Sequence, residues 1–229
     1  MPATTLLLTG LVVGTSLLGA RHWLHRGLTP VADTSGPTPA SIGLTAETVW
    51  IPAAQGSRLF AWYLPSRDPA PAPAAAPGVD TGRLVALGHS VGAAATLLVA
   101  SRRPGLAAAV SVSAFAHPEW VMRRWLAARR VPYWPLGWLV NRYVERVIGA
   151  RFDTIAPLAT LPQARCPVLL LHGRQDVTVP LSDAHALVDQ AGASRAHLQV
   201  LDGGHEGFDD PVAAEKAVLE FLTSALRTD

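Results

Sequence analysis

The pentapeptide Gly88-His89-Ser90-Val91-Gly92 constrains this chain more than any other feature. A short apolar run, Arg83–Gly88 (RLVALG), leads into it. A segment of small and apolar residues, Val91–Arg103, leads out and is stopped by Pro104-Gly105. That succession is strand, tight turn, helix. In a G-x-S-x-G turn the backbone is strained, and the serine hydroxyl stands out at the carboxyl end of a sheet. The plainer reading is that Ser90 only caps a helix. The apolar strand before it and the small-residue helix after it favour a nucleophile.

Later segments repeat the alternation. Leu106–Phe115, Pro167–Leu171 and His197–Leu201 read as buried strands. Helices are expected over about 118–131, 136–149 and Ser182–Gln190. Asp210 caps a last helix, Pro211 takes its first position, and Leu219, Leu222 and Leu226 help form its apolar stripe. Such alternation predicts an α/β fold with a mostly parallel sheet and helices on both faces. Ahead of it, Thr48–Pro52 and Arg58–Leu64 read as a hairpin turning at Gln55-Gly56-Ser57. Ser66–Gly82 carries prolines at 69, 71, 73 and 77, so it reads as an extended linker.

A serine hydroxyl is a weak nucleophile at neutral pH. It needs a base, and the base needs an orienting carboxylate. Asp176 lies just beyond the strand PVLLL, and His205 just beyond HLQVL in a glycine-flanked loop. Asp176 is the candidate acid, with Asp183 as a neighbouring alternative. His205 is the candidate base. His172 and His185 read as structural, and the side chain of His89 is expected to point away from the reacting atom.

The blocks ALGHSVG, PVLLLHGRQDVTVP and DGGHEGF resemble the three catalytic blocks of the α/β-hydrolase superfamily, especially its esterase, lipase and serine-aminopeptidase-like branch. The hairpin ending LFAWYLP resembles that branch's first two strands. The resemblance spans about residues 46–68 and 79–229. It implies Ser90 as nucleophile, Asp176 as acid, His205 as base and the Val91 N–H as one oxyanion donor. No metal or organic cofactor is implied.

One part of the family pattern is missing. Members have two more strands and two helices between the hairpin and the nucleophile strand, and a His-Gly loop there supplies the second oxyanion donor. Here WYLPSRDPAPAP runs directly into PGVDTGRLVALGHS, which reads as an internal deletion of two central strands. Between the second and third of the strands named above, about residues 117–165 read as a helical lid rich in tryptophan and arginine. An apolar lid suits an apolar ester or acyl substrate. The runner-up function is a hydrolase-like remnant that binds a ligand or partner without turning it over.

Formal net charge is only +2, which gives no case for nucleic acid. Cys166 is the single cysteine, so no intrachain disulfide forms. From Ala3 to Ala20 there is no charged residue, and Arg21 and Arg26 follow. About 18 apolar residues is the lower edge of a membrane span. No Lys or Arg precedes the stretch, as one would in a signal peptide. Residues 1–26 therefore read as a membrane anchor, with a signal peptide or a buried helix as alternatives. Residues 27–44 read as its tether and 45–229 as the hydrolase-like domain. The basic flank after the span points to a cytoplasmic domain, with secretion or the periplasm as the alternative.

Overall fold

The computed structural model describes residues 38–42, 46–52, 58–63, 83–192 and 195–227. It contains two compact units, residues 1–65 and 66–229. In the first, strand β1 (Glu47–Pro52) pairs antiparallel with β2 (Arg58–Tyr63), in register from Glu47↔Tyr63 to Pro52↔Arg58. Of the expected tether, the described part is one turn, Pro39–Ile42. The expected turn at 55–57 and the proline-rich stretch 66–82 lie outside the described residues.

The second unit is built on four parallel strands in the order β3 (Leu84–His89), β4 (Leu106–Val112), β5 (Val168–Gly173), β6 (Ala196–Leu201). Helix α1 (Val91–Arg102) links β3 to β4, and α4 (Leu181–Ala191) links β5 to β6. The strand order never reverses, so right-handed crossovers place α1 and α4 on one face. The last helix, α5 (Pro211–Ala225), lies against β4, β5 and β6 on the other. Asp210 caps it by accepting from the Ala213 N–H at 3.0 Å. The expected α/β architecture is the one observed.

The core forms where small side chains let α1 lie close on the sheet. Ala93, Leu97 and Ala100 of α1 pack with Ala109 of β4, Val168 and Leu170 of β5, and Leu187 of α4. Every residue of β5 is buried, as its continuous apolar run requires. Among the described residues β3 pairs with β4 alone, and its Leu87 is 61% exposed. Among the described residues, the strand that leads to Ser90 therefore lies at the edge of the sheet.

Between β4 and β5 the chain inserts α2 (Pro118–Ala128), a turn at Tyr133–Gly137, α3 (Trp138–Ile148) and two short helical turns, Phe152–Ile155 and Pro157–Thr160. Polar groups organise this insertion. Buried Glu145 accepts from the Phe152 N–H at 2.8 Å and from Arg142 at 2.7 Å. Asn141 donates to the Tyr133 hydroxyl at 3.0 Å, and the Arg123 guanidinium lies 3.8 Å from the Tyr133 ring centre. Burial pushes the Tyr133 hydroxyl above its ordinary pKa.

The membrane expectation is corrected here. Ala3–Ala20 lies outside the described residues, and among those described no helix is long and apolar enough to cross a membrane. The longest, α5, has 15 residues. That is about 22 Å of helix against a hydrocarbon core of about 30 Å. The anchor over 1–26 and the cytoplasmic placement derived from it are withdrawn.

Candidate active site

Ser90 sits between the end of β3 and the first turn of α1, with φ at +54°. A non-glycine residue with that backbone is strained by about 1–3 kcal/mol, and it persists only where its surroundings hold it. Here its N–H donates to the Val112 carbonyl at 2.9 Å, and its own carbonyl accepts from the Ala94 N–H at 3.2 Å. Gly88 makes the turn possible. A Cβ there would overlap the Gly92 carbonyl and stand 2.6 Å from Thr96 Oγ1, so only glycine lets strand and helix cross this closely. At Gly92, by contrast, a Cβ would meet no atom within 4 Å.

His205 and Asp176 converge on Ser90 from the loops after β6 and β5. The His205 Nε2 lies 3.0 Å from Ser90 Oγ, and its Nδ1 lies 2.7 Å from Asp176 Oδ2. A carboxylate only accepts, so Nδ1 carries the hydrogen and Nε2 offers a lone pair to the serine hydroxyl. Asp176 is buried, and its other oxygen accepts from the Thr178 and Val179 N–H groups at 2.9 and 2.7 Å. The Val91 N–H belongs to the first turn of α1, where no carbonyl of the helix is available to it. It therefore faces outward from the positive end of the helix beside Ser90.

Asp183, the alternative acid, is engaged elsewhere. It is buried in α4, receives both arms of Arg124 from α2 at 2.9 Å, and accepts from the Ala116 N–H at 3.0 Å. His172 is buried. Its Nε2 donates to the Val179 carbonyl at 2.8 Å and passes 3.6 Å from Asp176 Oδ2. It thus braces the loop that holds Asp176.

Two features escape sequence reasoning. Gln175 ties the loop that carries Asp176 to the loop that carries His205. Its N–H donates to the Gly203 carbonyl at 2.9 Å, and its Oε1 accepts from the Gly203 N–H at 2.6 Å. Beside it, hydrogen bonds from Arg174 and then Gln175 hold the Asp202 carboxyl below its ordinary pKa. The second feature is His89, whose Nε2 lies 2.7 Å from the His205 backbone carbonyl. This side chain, expected to point away from the reacting atom, touches the backbone of the loop that carries His205. No sequence signal announces either contact, since each joins residues far apart in the chain. Among the described residues no cluster of three or more His, Cys, Asp or Glu is placed to hold a metal ion.

The sequence pattern of the prolyl oligopeptidase family matches residues 72–227. The chain belongs to the prolyl oligopeptidase family. Like other members of that family it has the α/β-hydrolase fold. It is similar to cutinase 2 of Thermobifida cellulosilytica, at 35% identity over 82 residues, 36% of this chain and 25% of the cutinase. It is also similar to an uncharacterized Bacillus subtilis protein, at 28% identity over 141 residues, 59% of this chain and 46% of that protein. Among solved structures, an esterase of Pyrococcus furiosus superposes with a TM-score of 0.62 at 15% identity, over 86% of this chain and 97% of the esterase. A puromycin-hydrolyzing peptidase of Mycobacterium tuberculosis superposes with a TM-score of 0.51 at 19% identity, over 66% of this chain and 23% of the peptidase. These likenesses in structure speak for the fold. The chain spans about a quarter of the length of the cutinases it matches.

Proposed function

We propose that this chain is a serine hydrolase that cleaves carboxylic esters, and amides less readily, through an acyl-enzyme. The observation that carries the reading is the single file of Ser90 Oγ, the His205 ring and the Asp176 carboxylate at 3.0 and 2.7 Å. Ser90 Oγ attacks the carbonyl carbon while its proton passes to His205 Nε2. Asp176 keeps the ring in the required tautomer and stabilises the imidazolium. The Val91 N–H receives the oxyanion. His205 then protonates the leaving alkoxide, and a water deprotonated by His205 releases the acid and restores the Ser90 hydroxyl.

The sequence leads from β2 to β3 with no His-Gly loop, so this reading includes a handicap. Loss of one oxyanion donor costs about 10²–10³ in rate. A binding remnant is the second reading, and it rests on the same gap. The insertion carrying α2 and α3 is proposed as a lid. Its Trp134 and Leu136 are 72% and 52% exposed, which suits an apolar acyl group.

The test is hydrolysis of p-nitrophenyl esters of rising acyl length against peptide p-nitroanilides. Esters should turn over, and Ser90→Ala should lower that turnover by about 10⁴-fold or more. Ester turnover that is equal in the wild type and Ser90→Ala, or absent from the folded wild type, refutes the enzyme.

A further inference from the structure

We infer that His89 is a positioning residue: its ring N–H grips the backbone carbonyl of His205 and so sets the base against the nucleophile. The inference rests on reading His205 as the general base. His89 Nε2 lies 2.7 Å from the His205 carbonyl oxygen. A carbonyl only accepts, so Nε2 of His89 carries the hydrogen and donates it. The two imidazoles also face each other, with centroids 5.0 Å apart and planes inclined by 50°.

The position of His89 gives this contact its meaning. It is the last residue of β3 and pairs in register with Val112, whose carbonyl also receives the Ser90 N–H. His89 and Ser90 are consecutive, and both reach His205: one at its peptide, the other at its ring. Bonds within the base loop close that loop on itself, Gly204 N–H to Gly207 O and Asp209 N–H to Asp202 O, each at 3.0 Å. Gln175 ties the start of the loop to the loop that carries Asp176. The clamp from His89 adds a link from the base loop to the nucleophile strand.

That link gains importance during turnover. In the resting enzyme the Ser90 hydroxyl itself ties His205 to β3. Once Ser90 Oγ is acylated, its hydrogen is gone and that tie is lost. Asp176 still holds the ring, and the His89 N–H still holds the peptide. The clamp should therefore matter most for deacylation, when His205 must take a proton from water with no serine hydroxyl to align it.

The experiment follows p-nitrophenyl acetate hydrolysis by stopped flow in the full chain and in two variants of matched shape. His89→Met removes the N–H, and His89→Gln keeps a donor at similar reach. His89 is exposed, so both substitutions should leave the melting temperature close to that of the wild type. Misplacing a catalytic group by a fraction of an ångström to 1 Å costs up to about 10²-fold. His89→Met should slow deacylation by about 10- to 100-fold and acylation by about threefold or less, giving a pronounced burst. His89→Gln should recover most of the loss. Deacylation at the wild-type rate in His89→Met overturns the inference, as does a folded Gln variant no better than Met. Should Met not fold, a tenfold loss in folded His89→Gln overturns it too. A wild type without turnover instead refutes the base assignment and this inference with it.

Discussion

Replacing Asp176 by asparagine separates orientation of the base from mere packing around it. The side chain keeps its shape, and its carbonyl can still accept from the Thr178 and Val179 N–H groups that now bond Oδ1 at 2.9 and 2.7 Å. Turning the amide the other way would set its NH₂ against two N–H donors. Each buried donor so stranded costs about 1–3 kcal/mol, so this orientation loses. The amide NH₂ then stands where Oδ2 now meets His205 Nδ1 at 2.7 Å. It can only donate there, so Nδ1 must accept and the ring hydrogen moves to Nε2. That hydrogen faces Ser90 Oγ, and the serine proton has nowhere to go. In the serine-protease template this change costs about 10⁴ in kcat, or about 5.4 kcal/mol of transition-state stabilisation. The assay is the acylation rate with p-nitrophenyl butyrate, with urea unfolding to show that the variant is folded. A loss of less than about tenfold in folded Asp176→Asn would refute the argument.

Other consequences follow from the same contacts. Arg124→Met should destabilise the fold by about 3 kcal/mol, the low end for breaking a buried pair because Arg124 is itself a third exposed. It leaves buried Asp183 with the Ala116 N–H alone, and urea midpoints measure the cost. Asp183→Asn should leave acylation within about threefold of the wild type, since Asp183 is bonded to Arg124 rather than to His205. Gly88→Ala should abolish acylation and lower the melting temperature, whereas Gly92→Ala should raise stability by up to about 1 kcal/mol. Burial raises the Cys166 thiol, so its folded pKa exceeds the unfolded value of about 8.5. Its contribution to stability is complete below that unfolded value and is lost as pH rises towards the folded one. Iodoacetamide at pH 8.5 should therefore modify the native chain more slowly than the urea-unfolded chain.

Much of the fold is legible because its signals are local. The apolar runs before Ser90, Asp176 and His205 mark three strands, and Asp210-Pro211 marks the start of α5, since each signal lies within a few residues of what it specifies. The helix expected over 136–149 starts later, at Trp138, because Tyr133–Gly137 forms its own turn with Trp134 extended. Contacts across the chain are another matter. The His89 clamp spans 116 residues and the Arg124–Asp183 pair 59, and no periodicity encodes such partners. The two glycines flanking Ser90 look equivalent in the motif, yet only Gly88 faces the crossing backbone. The apolar run Ala3–Ala20 shows the limit of composition, which suits a membrane span, a signal peptide and a buried helix alike.

Mass spectrometry of the full chain after reaction with a fluorophosphonate tests directly whether Ser90 is the nucleophile and His205 its base. One adduct is expected, on the peptide containing Ser90, that disappears in Ser90→Ala and falls at least a hundredfold in rate in His205→Ala. A folded wild type without an adduct, or an adduct on another serine that survives Ser90→Ala, would contradict it.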